Sequence, residues 1–131
     1  MSRFDPLATF VYLPDGPAAT LLPVTPDFWE ELEAREDLAG GRLVSAYRFE
    51  ADWASWERHP AGDELVVQLS GAVDFVLDEN GRERVVELRG RGALLVPRGL
   101  WHTARVLEPS EALFVTRGDG TEHRPVERRR R

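Results

Sequence analysis

Two short stretches of the chain combine side chains that can bind a metal ion. WERHPAGDE contains Glu57, His59 and Glu64, and VPRGLWH ends at His102. On a strand, the spacing of Glu57 and His59 places both side chains on one face. Imidazoles and carboxylates held on rigid strands are what a divalent first-row metal ion needs. Alternatively, the charged residues of the first stretch are simply exposed to solvent. The strand that follows helps to decide between these two interpretations, because it contains Glu64.

That strand, DELVVQLS, has two faces that the sequence separates by alternation. One face carries Glu64, Val66 and Gln68, and the other carries Leu65, Val67 and Leu69. Because both faces are largely apolar, we expect the strand to be covered on both sides. Glu64 and Gln68 would then face an interior, which is costly for unpaired polar groups. A buried Glu64 therefore requires a metal ion, another cation or a proton.

The elements that would position these residues are short strands. Residues 8–13 and 19–24 resemble strands, and seven further β-type runs each end near Gly, Pro, Asn or Asp: RLVSAYRFEAD, DELVVQLS, AVDFVLD, RERVVELR, ALLVP, WHTARVLE and EALFVTR. Asn80-Gly81 predicts a tight hairpin. One helix is predicted in TPDFWEELEARED, capped by Thr25 and with Pro26 in the first helical position. The pattern is typical of an antiparallel sandwich or small barrel.

Composition restricts the possible functions. The 131 residues predict one domain, and the net charge of -6 argues against nucleic acid as a partner. The chain has no cysteine, and all 17 basic residues are arginine, so thiolate ligands and lysine Schiff bases are excluded. No stretch fits a signal peptide or a membrane span. We therefore expect a cytoplasmic protein without a membrane partner.

At these residues the chain resembles the cupins. Their first motif continues from His-x-His through three or four residues to Glu, then six residues to Gly, which His59, Glu64 and Gly71 match. Their second motif contains Pro-x-Gly, two residues and His, which Pro97, Gly99 and His102 match. The resemblance covers about residues 43–117. It implies an all-β, antiparallel jelly-roll barrel. Together with the predicted helix, the chain is expected to form a single domain over residues 1–131 with one short N-terminal helix, and the charged tail at 126–131 is expected to be disordered.

The chain departs from the cupin pattern at three positions. Glu57 stands where the family has its first histidine, Gly92 is one residue closer to Pro97, and Val106 replaces a final Asn. The resemblance then implies one divalent metal ion (Fe, Mn, Ni or Zn) bound by Glu57, His59, Glu64 and His102. Alternatively, Glu57 faces solvent or acts as a general base, and the other three residues form a two-histidine, one-carboxylate triad.

Other residues have possible roles around the site. Gln68 and Arg98 are candidates for substrate contacts, since an arginine can bind an anionic group through two hydrogen bonds. Trp101 should face away from His102, because neighbours on a strand alternate. His123 is expected at the surface or an interface rather than among the ligands, because no second candidate ligand accompanies it.

The resemblance leaves two functions open. The first is a metal-dependent enzyme acting on a small molecule, of the dioxygenase, isomerase or decarboxylase type. The second is a ligand-binding or sensor protein that is metal-free, or holds a structural metal, and does no catalysis. Because cupins often dimerise, we also expect a homodimer, with the N-terminal strands as candidates for the contact.

Overall fold

The fold consists of nine strands and one short helix within residues 2–127, which the computed structural model describes. Helix α1 spans Phe28–Glu33, and a 3₁₀ turn spans Glu36–Leu38. The strands are β1 (Thr9–Leu13), β2 (Thr20–Pro23), β3 (Arg42–Phe49), β4 (Ser55–Arg58), β5 (Glu64–Glu79), β6 (Arg82–Arg89), β7 (Gly92–Val96), β8 (Trp101–Thr116) and β9 (Glu122–Pro125). All paired strands are antiparallel, which confirms the predicted all-β class. Most of the tail predicted to be disordered, residues 128–131, lies outside the described residues.

Two long strands, β5 and β8, pair with each other twice and so belong to both layers of the barrel. In one layer, the first part of β5 and the last part of β8 are flanked by β7 and by β3, β1 and β2. In the other layer, their remaining halves are flanked by β6 and by β4 and β9. Apolar side chains from both layers, including Val66, Phe75 and Phe114, form the buried core between them.

Gly71 allows β5 to pass from one layer to the other. The β5–β8 register shifts on both sides of this residue. Gly71 has a φ of 95°, and a Cβ at this position would overlap the Ser110 side chain on β8. Only glycine combines this backbone angle with such a close approach. The glycine that ends the first motif is therefore required by the bend.

The helix is shorter than predicted. It begins at Phe28, after an N-cap residue, Asp27, whose side chain makes no capping hydrogen bond. Thr25 does not cap the helix: its hydroxyl donates to Glu31 Oε1 at 3.2 Å, and its carbonyl accepts from Phe28 N at 3.1 Å in a preceding turn. Tertiary packing decides this start, because Phe28 is buried edge-on against Phe10. No helix in the described residues is long and apolar enough to cross a membrane.

The burial predicted from alternation along β5 is correct for one face of the strand and wrong for the other. Glu64, Val66 and Gln68 are all buried, as predicted. On the opposite face, Leu65 and Val67 are only half-buried, and Leu69 is 49% exposed. That face is the outer surface of the barrel. The prediction from its apolar composition that it would be buried is therefore wrong, because no other element of the described residues packs over it. The predicted Asn80-Gly81 hairpin is confirmed, with φ values of 56° and 85°.

Candidate metal centre

Neighbouring strands align the polar side chains of the site. Glu57 on β4 lies directly opposite His102 on β8 and opposite His123 on β9. Directly opposed residues of an antiparallel pair project to the same face. His59 follows β4 and Glu64 begins β5, so both flank this row. The fold thus collects four candidate ligands from three strands and one loop.

The turn of the second motif positions the histidine of the first. Gly99 has a φ of 74°, and its N–H donates to the carbonyl of His59 at 3.0 Å. The turn itself is closed by a hydrogen bond from Leu100 N to Pro97 O at 3.2 Å. Because Gly99 holds the backbone of His59, the two motifs depend on each other for geometry.

Three of the candidate ligands are buried and in contact. His59, Glu64 and His102 are 6%, 4% and 0% exposed. The Nε2 atom of His59 lies 3.1 Å from Glu64 Oε2, and that of His102 lies 3.2 Å from Glu64 Oε1. Donor atoms of Glu57, His59 and His102 also lie within 4.8 Å of one another. Glu57 and Glu64 therefore each lie close to both histidines.

The converging atoms lack hydrogen bonds. His59 Nε2, His102 Nε2 and Glu64 Oε1 are buried and, apart from the short contacts between the imidazoles and the carboxylate, have no hydrogen-bond partner. The other nitrogen of His102 does have a partner: Nδ1 donates to the carbonyl of Leu100 at 3.1 Å. A neutral His102 thus carries its lone pair on Nε2, which is how contacts around a metal site orient a histidine ligand.

The remaining atoms of the site are held by neighbours. Thr116 Oγ1 donates to Glu64 Oε2 at 2.6 Å, and His59 Nδ1 lies 2.8 Å from Thr121 Oγ1. Glu64 is therefore oriented, with its Oε1 facing His102. The buried, oriented and unpartnered donor atoms fit a divalent metal ion.

Charge in the site is balanced between the carboxylate and the imidazoles. Burial opposes ionisation of Glu64, but the adjacent His102 and His59 lower the pKa of its carboxyl group to about 2. Burial likewise lowers the pKa of His102, but contact with Glu64 raises it overall. Glu64 is thus an anion at neutral pH, and a metal cation bound beside it would compensate this buried negative charge.

Glu57 lies at the site and has a partner that the sequence did not reveal. Its side chain is 26% exposed, and its Oε2 is 3.1 Å from His123 Nε2. His123 is 57% exposed, in line with the expected surface position, but it also contacts this candidate ligand. The two residues are 66 positions apart, so only the β4–β9 register could have predicted the contact.

The two proposed substrate residues lie elsewhere. Gln68 Nε2 donates to the carbonyls of Gly71, Leu88 and Gly90 at 3.2, 3.1 and 2.8 Å. Arg98 is exposed, and its backbone N–H donates to Asp63 Oδ1 at 2.9 Å. Neither side chain lines the cavity that adjoins the site. The structure thus does not bring them to the candidate ligands, and their substrate roles stay predictions.

A cavity of about 1090 Å³ adjoins the candidate ligands. Glu57, His59 and Glu64 line it, together with His123. Its other walls come from the barrel interior and from the segment that contains α1 and the 3₁₀ turn. The cavity is large enough for a small molecule beside the metal site.

Comparison with known proteins identifies the fold. Neither a protein-family model nor a curated protein matches the sequence. Many solved structures are similar, including the three that follow. A double-stranded β-helix protein from Klebsiella pneumoniae has 20% identity and a TM-score of 0.53, over 65% of this chain and 76% of that one. A cupin-2 domain protein from Shewanella frigidimarina has 16% identity and a TM-score of 0.50, over 58% and 70%.

The third similar structure belongs to a larger enzyme. Oxalate decarboxylase of Bacillus subtilis, described with Mn(II) centres, has 15% identity and a TM-score of 0.54. The match covers 72% of this chain but only 26% of the decarboxylase chain. At such identities the likeness concerns the fold alone. The chain therefore has the fold of the cupins, a double-stranded β-helix.

Proposed function

We propose that this protein binds one divalent metal ion and uses it in an enzymatic reaction on a small molecule. The observation that carries this proposal is the set of buried atoms without hydrogen bonds at His59, Glu64 and His102. Leaving a buried polar atom unpaired costs about 1–3 kcal/mol. Three such atoms lie in one cluster, and a metal ion bound there would satisfy them.

Each residue has a role that follows from its environment. His59 and His102 are the neutral ligands, each through Nε2, and Glu64 is the anchoring carboxylate. Glu57 is either a fourth ligand or a base, since its carboxylate lies at the mouth of the site with His123 beside it. Two imidazoles with carboxylates suit Fe(II), Mn(II), Ni(II) or Zn(II). The Mn(II) centres of the decarboxylase with the same fold support this range.

The adjoining cavity supports a small-molecule reaction. A bound metal would supply Lewis-acid or redox activation. The chain's own residues shield the site, because both histidines and Glu64 are almost fully buried. Glu57, half-buried between site and cavity, can hold or release a proton beside a bound molecule. We propose a reaction of the dioxygenase, isomerase or decarboxylase type.

Metal analysis of untagged protein, purified without added metal, tests the proposal. We expect about one equivalent of a first-row metal per chain, and a metal-bound protein that melts at a higher temperature than the stripped one. A protein that contains no metal, and whose melting temperature is unchanged by added Mn(II), Fe(II), Ni(II) or Zn(II), would contradict it. That result would favour a metal-free ligand-binding role.

We also propose that the protein is a homodimer that packs through the outer face of one layer. Strand register places one apolar row across six strands: Leu95, Leu65, Val115, Val44, Val11 and Leu21. Its two ends, Leu95 and Leu21, are 65% and 49% exposed. Six strands span roughly 24 Å at about 4.8 Å spacing. With a polar rim, such a face approaches the roughly 800 Å² per partner of a stable interface.

A second copy is the occupant that this face fits best, because two such flat rows can pack as paired sheets. Sedimentation velocity should show a dimer in the micromolar range. Leu95→Arg should weaken the dimer at least about tenfold, since it places a charge within the apolar row, at the end that is 65% exposed. Leu107→Arg, an exposed leucine outside the row, is the matched control. A wild-type protein that is monomeric at all concentrations would overturn this proposal.

A further inference from the structure

The inner wall of the cavity is aromatic. Tyr47, Phe49, Trp53 and Phe114 all line it. Their ring centroids lie 5.5 to 5.9 Å apart between neighbours, so they form one continuous surface. Phe114 is buried, but the other three rings are only half-buried, although they lie inside the barrel. Their uncovered area faces the cavity and can pack against a planar ligand.

This aromatic surface reaches the metal site and carries an unused donor. The Trp53 ring centroid lies 6.3 Å from that of His102. Trp53 Nε1 is buried and has no hydrogen-bond partner. A buried indole N–H ordinarily finds an acceptor. A bound molecule with an acceptor oxygen near its ring would provide one.

Charges around the cavity disfavour an anion. The wall formed by α1, the 3₁₀ turn and the loop before β9 contributes four carboxylates: Glu30, Glu33, Glu36 and Asp119. Within the described part of the chain, Arg35 is the one arginine that lines the cavity. Its guanidinium is already paired with Asp37 at 2.7 Å. An anionic ligand would therefore meet like charge without a free arginine to offset it.

We propose that the cavity takes an aromatic small molecule that carries a hydrogen-bond acceptor and is uncharged or cationic. This inference rests on the proposed function, because such a molecule is the substrate class of the same site. The aromatic wall selects the body of the ligand, and the acidic wall selects against a negative head group. Arg98, the residue that could have received an anion, lies away from the cavity.

Three probes with one body and different charges test the proposal: tyramine (cation), tyrosol (neutral) and 4-hydroxyphenylacetate (anion). Their affinities are measured by calorimetry on metal-free and Zn(II)-loaded protein. Tyrosol and tyramine should bind both forms. In the metal-free form, 4-hydroxyphenylacetate should bind at least about threefold more weakly than tyrosol. The saturated analogue of tyrosol, 4-(2-hydroxyethyl)cyclohexanol, should also bind at least about threefold more weakly than tyrosol.

Variants test separately the contributions of the aromatic wall and the acidic wall to probe binding. Trp53→Leu should weaken tyrosol binding at least about threefold, since it removes a ring and a donor. Trp101→Leu, on the outer side of β8 between Arg58 and Arg124, should not change it. Glu33→Gln combined with Glu36→Gln should reduce the advantage of tyramine over 4-hydroxyphenylacetate.

Several results would overturn the proposal. The first is that 4-hydroxyphenylacetate binds as tightly as tyrosol, or more tightly, in either form. The second is that the saturated analogue binds as tightly as tyrosol. The third is that no probe binds at about 10 mM. Each is measured on wild-type protein, so a misfolded variant cannot obscure it. Failure of the metal centre has a different signature. In that case Zn(II) would not bind, while the probe ranking in the metal-free protein would still support or refute the aromatic site.

Discussion

Glu64 and Gln68 lie on the same face of β5, both are buried, and both were candidate site residues from the sequence. Gln68 donates its amide N–H groups to three backbone carbonyls where β5 bends. Glu64 instead faces two histidines whose Nε2 atoms remain without hydrogen bonds. The neighbours, not the residue type or its burial, separate a structural polar group from one that can bind a ligand.

The surroundings of each group explain this difference. Near Gln68, Gly71 and Ser110 meet closely, and the Ser110 hydroxyl accepts from Ala72 N at 2.9 Å. Only Gln68 Oε1 lacks a partner there. Near Glu64 the unpaired atoms come from three residues and point at one another. A cluster of unpaired atoms, rather than a single one, marks the candidate site.

The largest expected effect comes from His102→Ala. This substitution removes a fully buried candidate ligand whose strand offers no replacement, so metal affinity should fall by more than about a hundredfold. Equilibrium competition with a chelator measures the change. Thr103→Ala is the matched control, because Thr103 is also buried on β8 but bonds to Ser55 O. Equal metal content in wild type and His102→Ala would refute the whole site assignment.

Acidification should also release the metal. The raised pKa of His102 means that protons compete with the metal at a higher pH than for an ordinary histidine near 6.5. Affinity should therefore fall as pH decreases through that pKa, by about tenfold per pH unit for each imidazole that takes up a proton. Metal titrations between about pH 8 and pH 5 measure the slope. Unchanged retention at about pH 5 would indicate a site without histidines.

The metal-free protein has its own dependence on pH. The lowered pKa of Glu64 stabilises the fold above the ordinary carboxyl value of 4.5, and this contribution is lost as pH falls toward about 2. The raised pKa of His102 acts in the opposite direction. Its contribution is present below 6.5 and is lost as pH rises through the raised value.

Glu57→Gln asks whether the fourth residue is a ligand. If Glu57 binds the metal, loss of its charge should weaken affinity about ten- to hundredfold. Glu57→His should retain binding, because it supplies another imidazole at the same position. If Glu57 is only a base, the Gln variant should keep its metal and lose turnover alone. Metal content and melting temperature of both variants separate these outcomes.

Gln68→Leu should show the opposite behaviour to His102→Ala. It leaves buried carbonyls without their donor, so the free energy of unfolding should decrease by about 1–3 kcal/mol. Metal affinity should stay as in wild type. Urea denaturation of the metal-free protein, together with metal titration, measures both quantities. A loss of metal binding with normal stability would place Gln68 in the functional site after all.

The smallest expected effect is that of His123→Leu. Losing the contact with Glu57 Oε2 should weaken metal binding by about three- to tenfold, since the carboxylate is no longer oriented. His123→Gln retains a donor and should recover part of the affinity. An unchanged affinity in the Leu variant would show that β4 alone positions Glu57.

The sequence by itself determined the features that depend on local spacing. Alternation along β5 placed Glu64 and Gln68 inside, and the Asn80-Gly81 pair specified the hairpin. The spacings around His59 and His102 were enough to predict a common site. Such patterns are local, because a strand repeats every second residue and a tight turn needs particular backbone angles.

Tertiary structure alone decided what these residues meet. His123 reaches Glu57 across 66 positions through pairing of β9 with β4, and α1 supplies an acidic wall from the other end of the chain. The same alternation buried both Glu64 and Gln68. The packed neighbours alone made the difference, because they placed two unpaired histidine Nε2 atoms beside Glu64. Long-range strand pairing creates these contacts, and no periodicity within a single strand encodes it.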